Sequence, residues 1–477
     1  MKAARTALPD SAMLDRFARI VGERYALREA ADMHPYLVEP RDKYFGKAAM
    51  VLRPGSAEEV SHILALADET KTAIVPQGGN TGLVGGQIPF EGGSEIVLSL
   101  ARLNRILKVD GEGNAMTVEA GCTLAAIREA AEAAGRLFPL SMGSEGTCQI
   151  GGNLATNAGG IAVLAYGNAR EQVLGLQVVL ADGRIWDGLR SLRKDNTGYD
   201  LKQLFIGSEG TLGVITAAVL KLYPKPRVRE TAFLGLPTPH AAVRLLQRAL
   251  DAFGRSVTSF EIMSRLGLDL VLRHLAGSRD PLAQPYPWYV LLEVSSGEAA
   301  ETVRPRIEAV LTAAMAAGEA ADGVLAASAA QADALWRMRT ALSEVQKHEG
   351  GSIKHDVSVP IAAIPAFMEE AARVVEEIMP GARPVPFGHL GDGNIHFNIS
   401  QPVGADKDAF LSRWQEVSAA IHGLVARFHG SISAEHGIGR MKKELLPGVK
   451  SAVEMDLMRA LKRTFDPNGI LNPGKVL

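Results

Sequence analysis

The chain has 477 residues, of which 47% are hydrophobic and 22% charged, and its formal net charge is -2. This length exceeds what one hydrophobic core usually serves, so we expect two or three domains with the composition of an ordinary globular enzyme. The near-neutral charge gives no indication of a nucleic-acid partner, and two cysteines, Cys122 and Cys148, are too few for a disulfide framework or a thiolate metal site.

The sequence contains no membrane or secretion signal that we can identify. No window approaches the roughly 18 unbroken apolar residues of a membrane helix, and the first ten residues lack the apolar core of a secretory signal. We therefore expect a cytoplasmic protein without an integral membrane segment. The oligomeric state is left open, and a homodimer is allowed.

Short strands, helices and glycine-rich turns alternate over residues 50–225. Ser56 and Glu59 have the spacing of a capping box and predict a helix to about Asp68. An alanine-rich helix is predicted from Thr123 to Ala134 and ends at Gly135. The mixture predicts an α+β fold. Strands are predicted at 72–75 (ending at Pro76), 95–100, 116–120, 172–180 (with a hairpin turn at Asp182-Gly183) and 214–222.

After Pro224-Lys-Pro226 the short strands and glycine-rich turns give way to long helical patterns, and we place a domain boundary there. Residues 1–225 form the first domain, with subdomains at about 45–120 and 121–225, residues 226–430 form the second, and residues 431–477 close the chain. Within the second domain the patterns predict helices at 239–253, 298–317 and 361–378 and strands at 289–294 and 396–399.

Three glycine-rich loops occur within about 140 residues, at 76–86, 143–160 and 207–215. Glycines allow consecutive backbone N–H groups to converge on anionic oxygens, and a pyrophosphate would fit such a concavity. One such loop is weak evidence, but three argue for a long ligand cradled by backbone. The pattern G-x-G-x-x-G occurs nowhere in the chain, so the Rossmann fingerprint of nicotinamide cofactors is absent.

A histidine-rich segment lies near the end of the second domain. His389 and His396 stand seven residues apart in a glycine-broken run, and Glu435-His436 follows some forty residues later. Two imidazoles and one carboxylate suit Zn, Mn or Fe and leave a coordination position open. Residues 396–399 alternate as a strand does, so His396 and Asn398 should project from the same face. The same ligands could also activate water in a metallohydrolase.

Taken together, the glycine loops resemble the FAD domain of the flavoproteins of the vanillyl-alcohol oxidase and p-cresol methylhydroxylase type. The histidine segment, Glu435-His436 and Asn472-Pro-Gly474 are similar to those of the FAD-linked D-2-hydroxy acid dehydrogenases, and by motif most like D-2-hydroxyglutarate and D-lactate dehydrogenases. The resemblance covers residues 45–477. It implies a two-subdomain FAD-binding domain and a cap domain with an antiparallel sheet and flanking helices. Noncovalent FAD is expected, because residues 76–86 contain no histidine to tether a flavin.

The resemblance also assigns roles to individual residues. Arg339, Ser343 and Lys354 match positions that grip a substrate carboxylate, and Asn398 and Asn472 would orient substrate and flavin. Arg339 and Ser343, four residues apart, share a helical face, and Ser343 stands where the family often has threonine. The implied cofactor-binding residues are Pro76, Gly78, Gly79, Asn80, Thr81, Gly82, Leu83, Gly143, Ser144, Gly146, Thr147, Gly151, Gly152, Asn153, Thr156, Asn157, Gly159, Gly160, Glu209, Gly210, Gly213, Ile215 and Asn472.

The resulting hypothesis is the metal-assisted oxidation of a D-2-hydroxy acid, with D-2-hydroxyglutarate favoured by Ser343 and Lys354. His389, His396 and Glu435 would bind Zn²⁺ or Mn²⁺, and His436, whose unperturbed pKa is near 6.5, would act as general base. Hydride would pass to flavin N5, and electrons would leave to an electron-transferring flavoprotein or a quinone system. The alternatives are a D-lactate dehydrogenase, a flavin subunit of a glycolate dehydrogenase and, more remotely, the metallohydrolase.

Overall fold

A computed structural model describes residues 8–477. Residues 1–7, part of the segment in which the sequence predicts no secretory signal, lie outside the described part. The described chain divides into two units: the first comprises 8–160, 167–225 and Glu435–Leu477, and the second Ile161–Tyr166 and Pro226–Ala434. Among the described residues, no helix is long and apolar enough to cross a membrane.

Helices and strands are numbered in chain order. The helices are α1 (Ser11–Val21), α2 (Ala30–Leu37), α3 (Ala57–Thr70), α4 (Leu124–Ala133), α5 (Ile150–Ala155), α6 (Val163–Tyr166), α7 (Lys202–Phe205), α8 (Pro239–Phe253), α9 (Arg265–His274), α10 (Ala300–Ala316), α11 (Ala329–Val345), α12 (Ile364–Ile378), α13 (Lys407–Ser412), α14 (Trp414–Arg427), α15 (Leu446–Val449) and α16 (Ala452–Phe465). The strands are β1 (Ala26–Leu27), β2 (Met50–Leu52), β3 (Ile74–Gln77), β4 (Ile96–Ser99), β5 (Ile106–Asp110), β6 (Ala115–Glu119), β7 (Arg136–Leu137), β8 (Val173–Val179), β9 (Ile185–Gly188), β10 (Val214–Lys221), β11 (Tyr223–Pro224), β12 (Val228–Leu236), β13 (Val257–Ser264), β14 (Trp288–Ser296), β15 (Asp322–Leu325), β16 (Ser352–Ile353), β17 (Asp356–Ser358), β18 (Arg383–His389) and β19 (Asn394–Ser400).

The first sheet of the first unit has four strands in the order β1-β2-β4-β3. Strands β2, β4 and β3 run parallel, and their apolar side chains pack against α1 and α3. The strand predicted to end at Pro76 instead begins at Ile74 and includes the proline. Pro76 lacks a backbone N–H and is tolerated because β3 is the last strand in this order. Leu471, near the end of the chain, bridges β3 at Ile74.

The second sheet of the first unit is antiparallel, with the order β5-β6-β10-β8-β9. Its inner face packs against α4, which is capped by Thr123 and followed by Gly135 at φ +67°, as predicted. The strand predicted at 116–120, which is β6, was assigned from the sequence to the first subdomain, about 45–120. The structure pairs β6 with β10, so both strands lie in the second sheet. Alternation identifies a strand but not the sheet that it joins.

The second unit is built on an eight-stranded antiparallel sheet. Its order is β15-β12-β14-β13-β18-β19-β16, and β17 also pairs with β19. Neighbouring residues of one strand belong to different parts of the core. Ile262 belongs to the cluster that includes residues of α8, α10, α12 and α14, whereas Met263 belongs to the cluster that includes residues of α9 and α11. The α+β class and the antiparallel sheet with flanking helices, both expected from the sequence, are confirmed.

Candidate flavin and substrate sites

The three glycine loops of the first unit converge. A Cβ added at Gly79 would lie 2.0 Å from the carbonyl oxygen of Thr147, so the first loop packs directly on the backbone of the second. The third loop reaches the first at Gly210, where a Cβ would lie 3.2 Å from Pro76 Cγ. Gly210 has φ +71°, a left-handed conformation that favours glycine.

Three of the predicted cofactor-binding residues have a buried side-chain oxygen that accepts no hydrogen bond from the described residues. The side-chain Oδ1 atoms of Asn80, Asn153 and Asn472 are buried and have no hydrogen-bond partner among residues 8–477. Buried polar atoms are normally paired, so these oxygens fit a ligand that brings its own donors. Conversely, a Cβ at Gly143 or Gly152 would meet no protein atom within 4 Å. A backbone cradle with open space and unpaired acceptors fits the hydroxyl-rich and N–H-bearing FAD.

Asn472 holds the loops together through its other amide atom. Its Nδ2 donates to the carbonyl oxygens of Gly86 and Glu209, both at 3.0 Å, and so joins the first loop, the third loop and the C-terminal segment. The carboxylate of Glu209 accepts from the backbone N–H groups of Ile438 (2.7 Å) and Gly439 (2.9 Å). Burial raises the pKa of Glu209, while these two hydrogen bonds act to lower it. The side chain of Glu209 therefore fixes the segment after His436, a role that the sequence did not indicate.

Other predicted cofactor residues serve the packing of the loops. Thr156 Oγ1 donates to the carbonyl oxygen of Gly152 (3.0 Å), and Asn157 Oδ1 accepts from the backbone N–H of Arg170 (2.9 Å). Thr147 is exposed, whereas Pro76, Gly78, Thr81, Leu83 and Ser144 are half-buried and Ile215 is buried. Close approach favours glycine at Gly151, Gly160 and Gly213, where a Cβ would lie within 3 Å of another residue's atoms, whereas at Gly82 and Gly159 the near atom is the end of a flexible side chain that can move.

In the second unit, the sheet brings the two predicted metal-binding histidines together. His389 ends β18 and His396 lies in β19, and the two rings are 5.7 Å apart between centroids. Each offers a ring nitrogen, and these ligand atoms lie within 4.8 Å of each other. This spacing allows one cation to bind both rings.

A buried glutamate fixes one of these rings. Glu261, fully buried at the centre of β13, accepts a hydrogen bond from His389 Nδ1 (2.7 Å) and another from Arg339 Nε (2.8 Å). Burial raises the pKa of Glu261, but the neighbouring Arg339 and His389 outweigh it and lower that pKa to about 2. The carboxylate is therefore ionised at neutral pH and can only accept, so Nδ1 of His389 carries the hydrogen, and the contact fixes the orientation of the ring.

Glu261 was missed in the sequence. In the structure Glu261 is the only carboxylate in β13, a strand of eight buried residues, and a charge in such a strand needs a partner. The sequence could not name the partner: Arg339 is 78 residues away and His389 is 128 residues away.

The predicted carboxylate-binding residues lie on and after α11. Arg339 is buried, with its guanidinium 5.0 Å from the centroid of the Phe387 ring. Its Nη2 lies 2.7 Å from Glu261 Oε2, yet makes no hydrogen bond of good geometry with any described acceptor. Ser343 is exposed, and Lys354 Nζ donates to its carbonyl oxygen (3.0 Å), so the structure joins these two through the backbone of Ser343, not its hydroxyl group.

Asn398 lies on β19, two residues after His396, as the alternation predicted. It is buried, and its Nδ2 donates to Gln346 Oε1 (3.1 Å). That contact orients the amide and leaves its oxygen for other donors.

Glu435 and His436 directly follow Ala434, the last residue of the second unit. The backbone N–H of Ala434 donates to the carbonyl oxygen of Asp356 (3.4 Å), which ties this end of the segment to the sheet. Gly437 has φ +83°, and no helix or strand includes these residues. The backbone at this pair is therefore irregular.

Comparison with known proteins agrees with a flavin-binding first unit and a second unit that carries the histidine residues. Residues 48–188 match the family described as "FAD binding domain", and residues 225–476 match "FAD linked oxidases, C-terminal domain". The protein is thus a flavoprotein of the FAD-linked oxidase class. The solved structure of p-cresol methylhydroxylase with substrate bound has the same fold, with a TM-score of 0.76 at 16% identity, over 100% of this chain and 98% of that one.

Two relatives narrow the class. A probable mitochondrial D-2-hydroxyglutarate dehydrogenase of Oryza sativa subsp. indica is 38% identical over 97% of this chain and 81% of its own length. A D-2-hydroxyglutarate dehydrogenase of Xanthomonas citri pv. viticola is 39% identical over 94% of this chain and 93% of its own length. The chain belongs to the FAD-linked D-2-hydroxy acid dehydrogenase family.

Proposed function

We propose that this enzyme oxidises D-2-hydroxyglutarate to its 2-oxo acid with noncovalent FAD, and that electrons leave to an external acceptor. The observation that carries the proposal is the buried group formed by Glu261, Arg339 and His389. It places the Arg339 guanidinium, whose Nη2 lies 2.7 Å from Glu261 Oε2, beside an oriented imidazole, and these two groups together suit an anion whose carboxylate adjoins a hydroxyl group. The names of the relatives agree with this substrate.

We further propose that His389, His396 and Glu435 hold Zn²⁺ or Mn²⁺. Support comes from the nearby ring nitrogens of the two histidines and from the hydrogen bond to Glu261 that fixes the orientation of the His389 ring. Glu435 is the residue directly after Ala434, the last residue of the second unit. A cation held by these ligands would favour loss of the proton from the 2-hydroxyl group.

His436 is the proposed base that takes the hydroxyl proton, since an imidazole titrates near neutral pH. FAD supplies the acceptor for the hydride that leaves C2, at N5 of its ring. The proton and the hydride together account for the two electrons and two hydrogens lost when the alcohol becomes a ketone. Arg339 grips one carboxylate, and Asn398 orients the substrate.

Lys354 is the proposed ligand of the second carboxylate, with Ser343 beside it. Its ammonium group is held 3.0 Å from the Ser343 carbonyl oxygen, at a half-buried position where solvent does not fully screen its charge. D-Lactate and glycolate lack the second carboxylate, so this lysine should matter little for them.

A substrate panel with an artificial dye acceptor tests the proposal. D-2-Hydroxyglutarate should give the highest kcat/KM among D- and L-2-hydroxyglutarate, D-lactate and glycolate. Lys354→Met should raise the KM for D-2-hydroxyglutarate by about 10- to 100-fold, the loss expected for a charge-assisted contact of about 1.5 to 3 kcal/mol, without changing that for D-lactate. Lys347→Met, a change at an exposed lysine paired with Glu344, is the matched control. Equal kcat/KM for D-lactate would favour the lactate alternative, and no turnover of any 2-hydroxy acid would end the proposal.

A cytoplasmic location, and an electron-transferring flavoprotein or a quinone system as acceptor, stay predictions. Cell fractionation checks the first. Reduction of purified candidate acceptors by enzyme and substrate checks the second.

A further inference from the structure

A cavity of about 530 Å³ lies in the first unit, beside strands β8 and β10 of the second sheet. Sites for small molecules usually measure about 300 to 1,000 Å³, so the cavity is large enough for one. Its lining includes no residue of the three glycine loops. The charged side chains of the lining are four cations and two carboxylates, namely Arg170, Arg193, Lys202, Lys221, Glu171 and Asp200. The lining therefore has an excess of two positive charges.

The four cations come from separate segments of the first unit. Arg170 lies in the turn before β8, Lys221 ends β10, Lys202 begins α7, and Arg193 lies between β9 and α7. Strands β8 and β10 are neighbours in the sheet, which brings Lys221 next to that turn, where its Nζ donates to the carbonyl oxygen of Glu171. The fold thus collects charges that are up to about 50 residues apart.

Three of the four cations have no carboxylate partner. Among residues 8–477, the side chains of Arg170, Arg193 and Lys221 form no ion pair, whereas Lys202 Nζ lies 2.6 Å from Asp200 Oδ2. Burial lowers the pKa of Lys221, and the positive charges of Arg193 and Lys202 lower it further. Like charges so close together repel each other, and a bound anion would relieve that repulsion.

Neutral oxygens hold Arg170 at the lining. Its Nη1 donates to the backbone carbonyl oxygen of Gln203 and to Oε1 of the same residue, both at 2.8 Å. These hydrogen bonds fix the guanidinium in position without neutralising its charge. The cavity therefore has at least one preorganised cation, which lowers the entropic cost of binding an anion.

We propose that this cavity binds a small organic anion through its phosphate groups. Guanidinium and ammonium groups are the side chains that bind phosphate oxygens in proteins. Because the donors belong to four segments, they approach from several directions, as the oxygens of a tetrahedral phosphate require and those of a planar carboxylate do not. Leu174 and the 55% exposed Leu192 also line the cavity and can contact the organic part of the ligand.

Calorimetric titration of the FAD-loaded enzyme with inorganic pyrophosphate, up to about 10 mM, tests the proposal. The loaded enzyme is used because its flavin site is already filled. Lys221→Met and Arg193→Met should each weaken pyrophosphate binding by about tenfold or more, the usual loss for a charge-assisted contact. Arg184→Met is the matched control, since Arg184 is an exposed arginine of the same unit that pairs with Asp182 outside the cavity. It should bind pyrophosphate as the wild type does.

Two measurements separate the site from other effects of the anion. Arg193 has no ion pair to lose, so Arg193→Met should keep the wild-type Tm and flavin absorbance without pyrophosphate. Pyrophosphate also binds free metal ions, but Arg193 and Lys221 are not proposed metal ligands. A difference between these variants and the wild type therefore reports on the cavity.

Citrate, a polyanion that carries carboxylates only, distinguishes the two kinds of anion. It should bind at least about tenfold more weakly than pyrophosphate, and equal affinity would overturn the assignment to phosphate. Absence of pyrophosphate binding at about 10 mM, or wild-type affinity in both Lys221→Met and Arg193→Met, would overturn the site. An equal loss in Arg184→Met would do the same, because it would show attraction to the overall charge of the surface.

Discussion

Replacing Glu261 by glutamine tests the buried group in the second unit. The two neighbours lower the pKa of Glu261 from its ordinary value of 4.5 to about 2, which corresponds to roughly 3 kcal/mol of stability at neutral pH. Glutamine keeps the size of the side chain but leaves the Arg339 charge without its anion, and breaking a buried pair costs about 3 to 5 kcal/mol. Urea unfolding at pH 7 should therefore show a loss of about 3 kcal/mol.

The pH dependence of that loss is fixed by the sign of the shift. A carboxyl group whose pKa is lower in the folded state contributes its full stability above pH 4.5, and loses it as the pH falls from 4.5 to about 2. The difference between wild type and Glu261→Gln should shrink over that range. Tryptophan fluorescence can follow the second unit, which contains Trp288, Trp336 and Trp414.

Glu261→Gln should also lower the enzymatic activity. Loss of a carboxylate that orients a metal-binding histidine typically costs 10- to 100-fold in metal affinity or activity. Flavin absorbance should stay unchanged, because the glycine loops belong to the first unit.

Glu293 on the neighbouring strand β14 gives a matched control. It is also buried and accepts from Trp336 Nε1 (2.7 Å), but burial raises its pKa, so an uncharged glutamine suits its environment better. Glu293→Gln should retain activity. Wild-type activity, metal content and stability in Glu261→Gln would refute the reasoning, and equal losses in both variants would show a general sensitivity of the sheet.

Three other predictions concern single residues. His436→Ala should keep flavin and lower turnover by about 10² to 10⁴, the usual contribution of acid–base catalysis; unchanged flavin reduction in stopped flow would remove the assignment. Gly79→Ala should release FAD because its Cβ would lie 2.0 Å from the Thr147 carbonyl oxygen, whereas Gly92→Ala, with no atom within 4 Å, should retain it; absorbance near the flavin bands compares them. Burial lowers the pKa of Lys475 to about 8, so the unfolded chain binds more protons between about pH 8 and 10.5. The stability of wild type relative to Lys475→Met, measured by urea unfolding, should therefore rise over this range by roughly 3 kcal/mol, and a flat difference would contradict the shift.

Local features of the fold were predictable where the cause is local. Side-chain caps at Ser56 and Thr123 begin α3 and α4 because each hydroxyl group accepts from a backbone N–H three residues later. Apolar runs gave β8 and β10 to within a residue or two. Sheet membership was not predictable, because the pairing of β6 with β10 joins residues that are about 100 apart in sequence.

The same distinction holds for the candidate site. His389, His396 and the glycine loops could be predicted because each belongs to a short motif of neighbouring residues. Glu261 depends on the register in which it faces His389 across β13 and β18, and on a helix that supplies Arg339. Such a group appears only when three distant segments fold together.

The charges of the buried group also determine what the substrate needs. Glu261 already balances Arg339, and His389, which donates through Nδ1, adds no charge if it ligates a metal. A dicarboxylate that enters this group must therefore be matched by other cations, which assigns that task to Lys354 and to the proposed divalent metal. Substrate and metal should then strengthen each other's binding by the same factor.

Chelation tests this coupling directly. Removal of the metal should abolish turnover, and Zn²⁺ or Mn²⁺ should restore it. Titration of the chelated enzyme should show weaker binding of D-2-hydroxyglutarate, and saturating substrate should slow loss of metal to the chelator. Equal metal loss with and without substrate, or full activity after exhaustive chelation, would mean that the substrate charge is balanced without a metal.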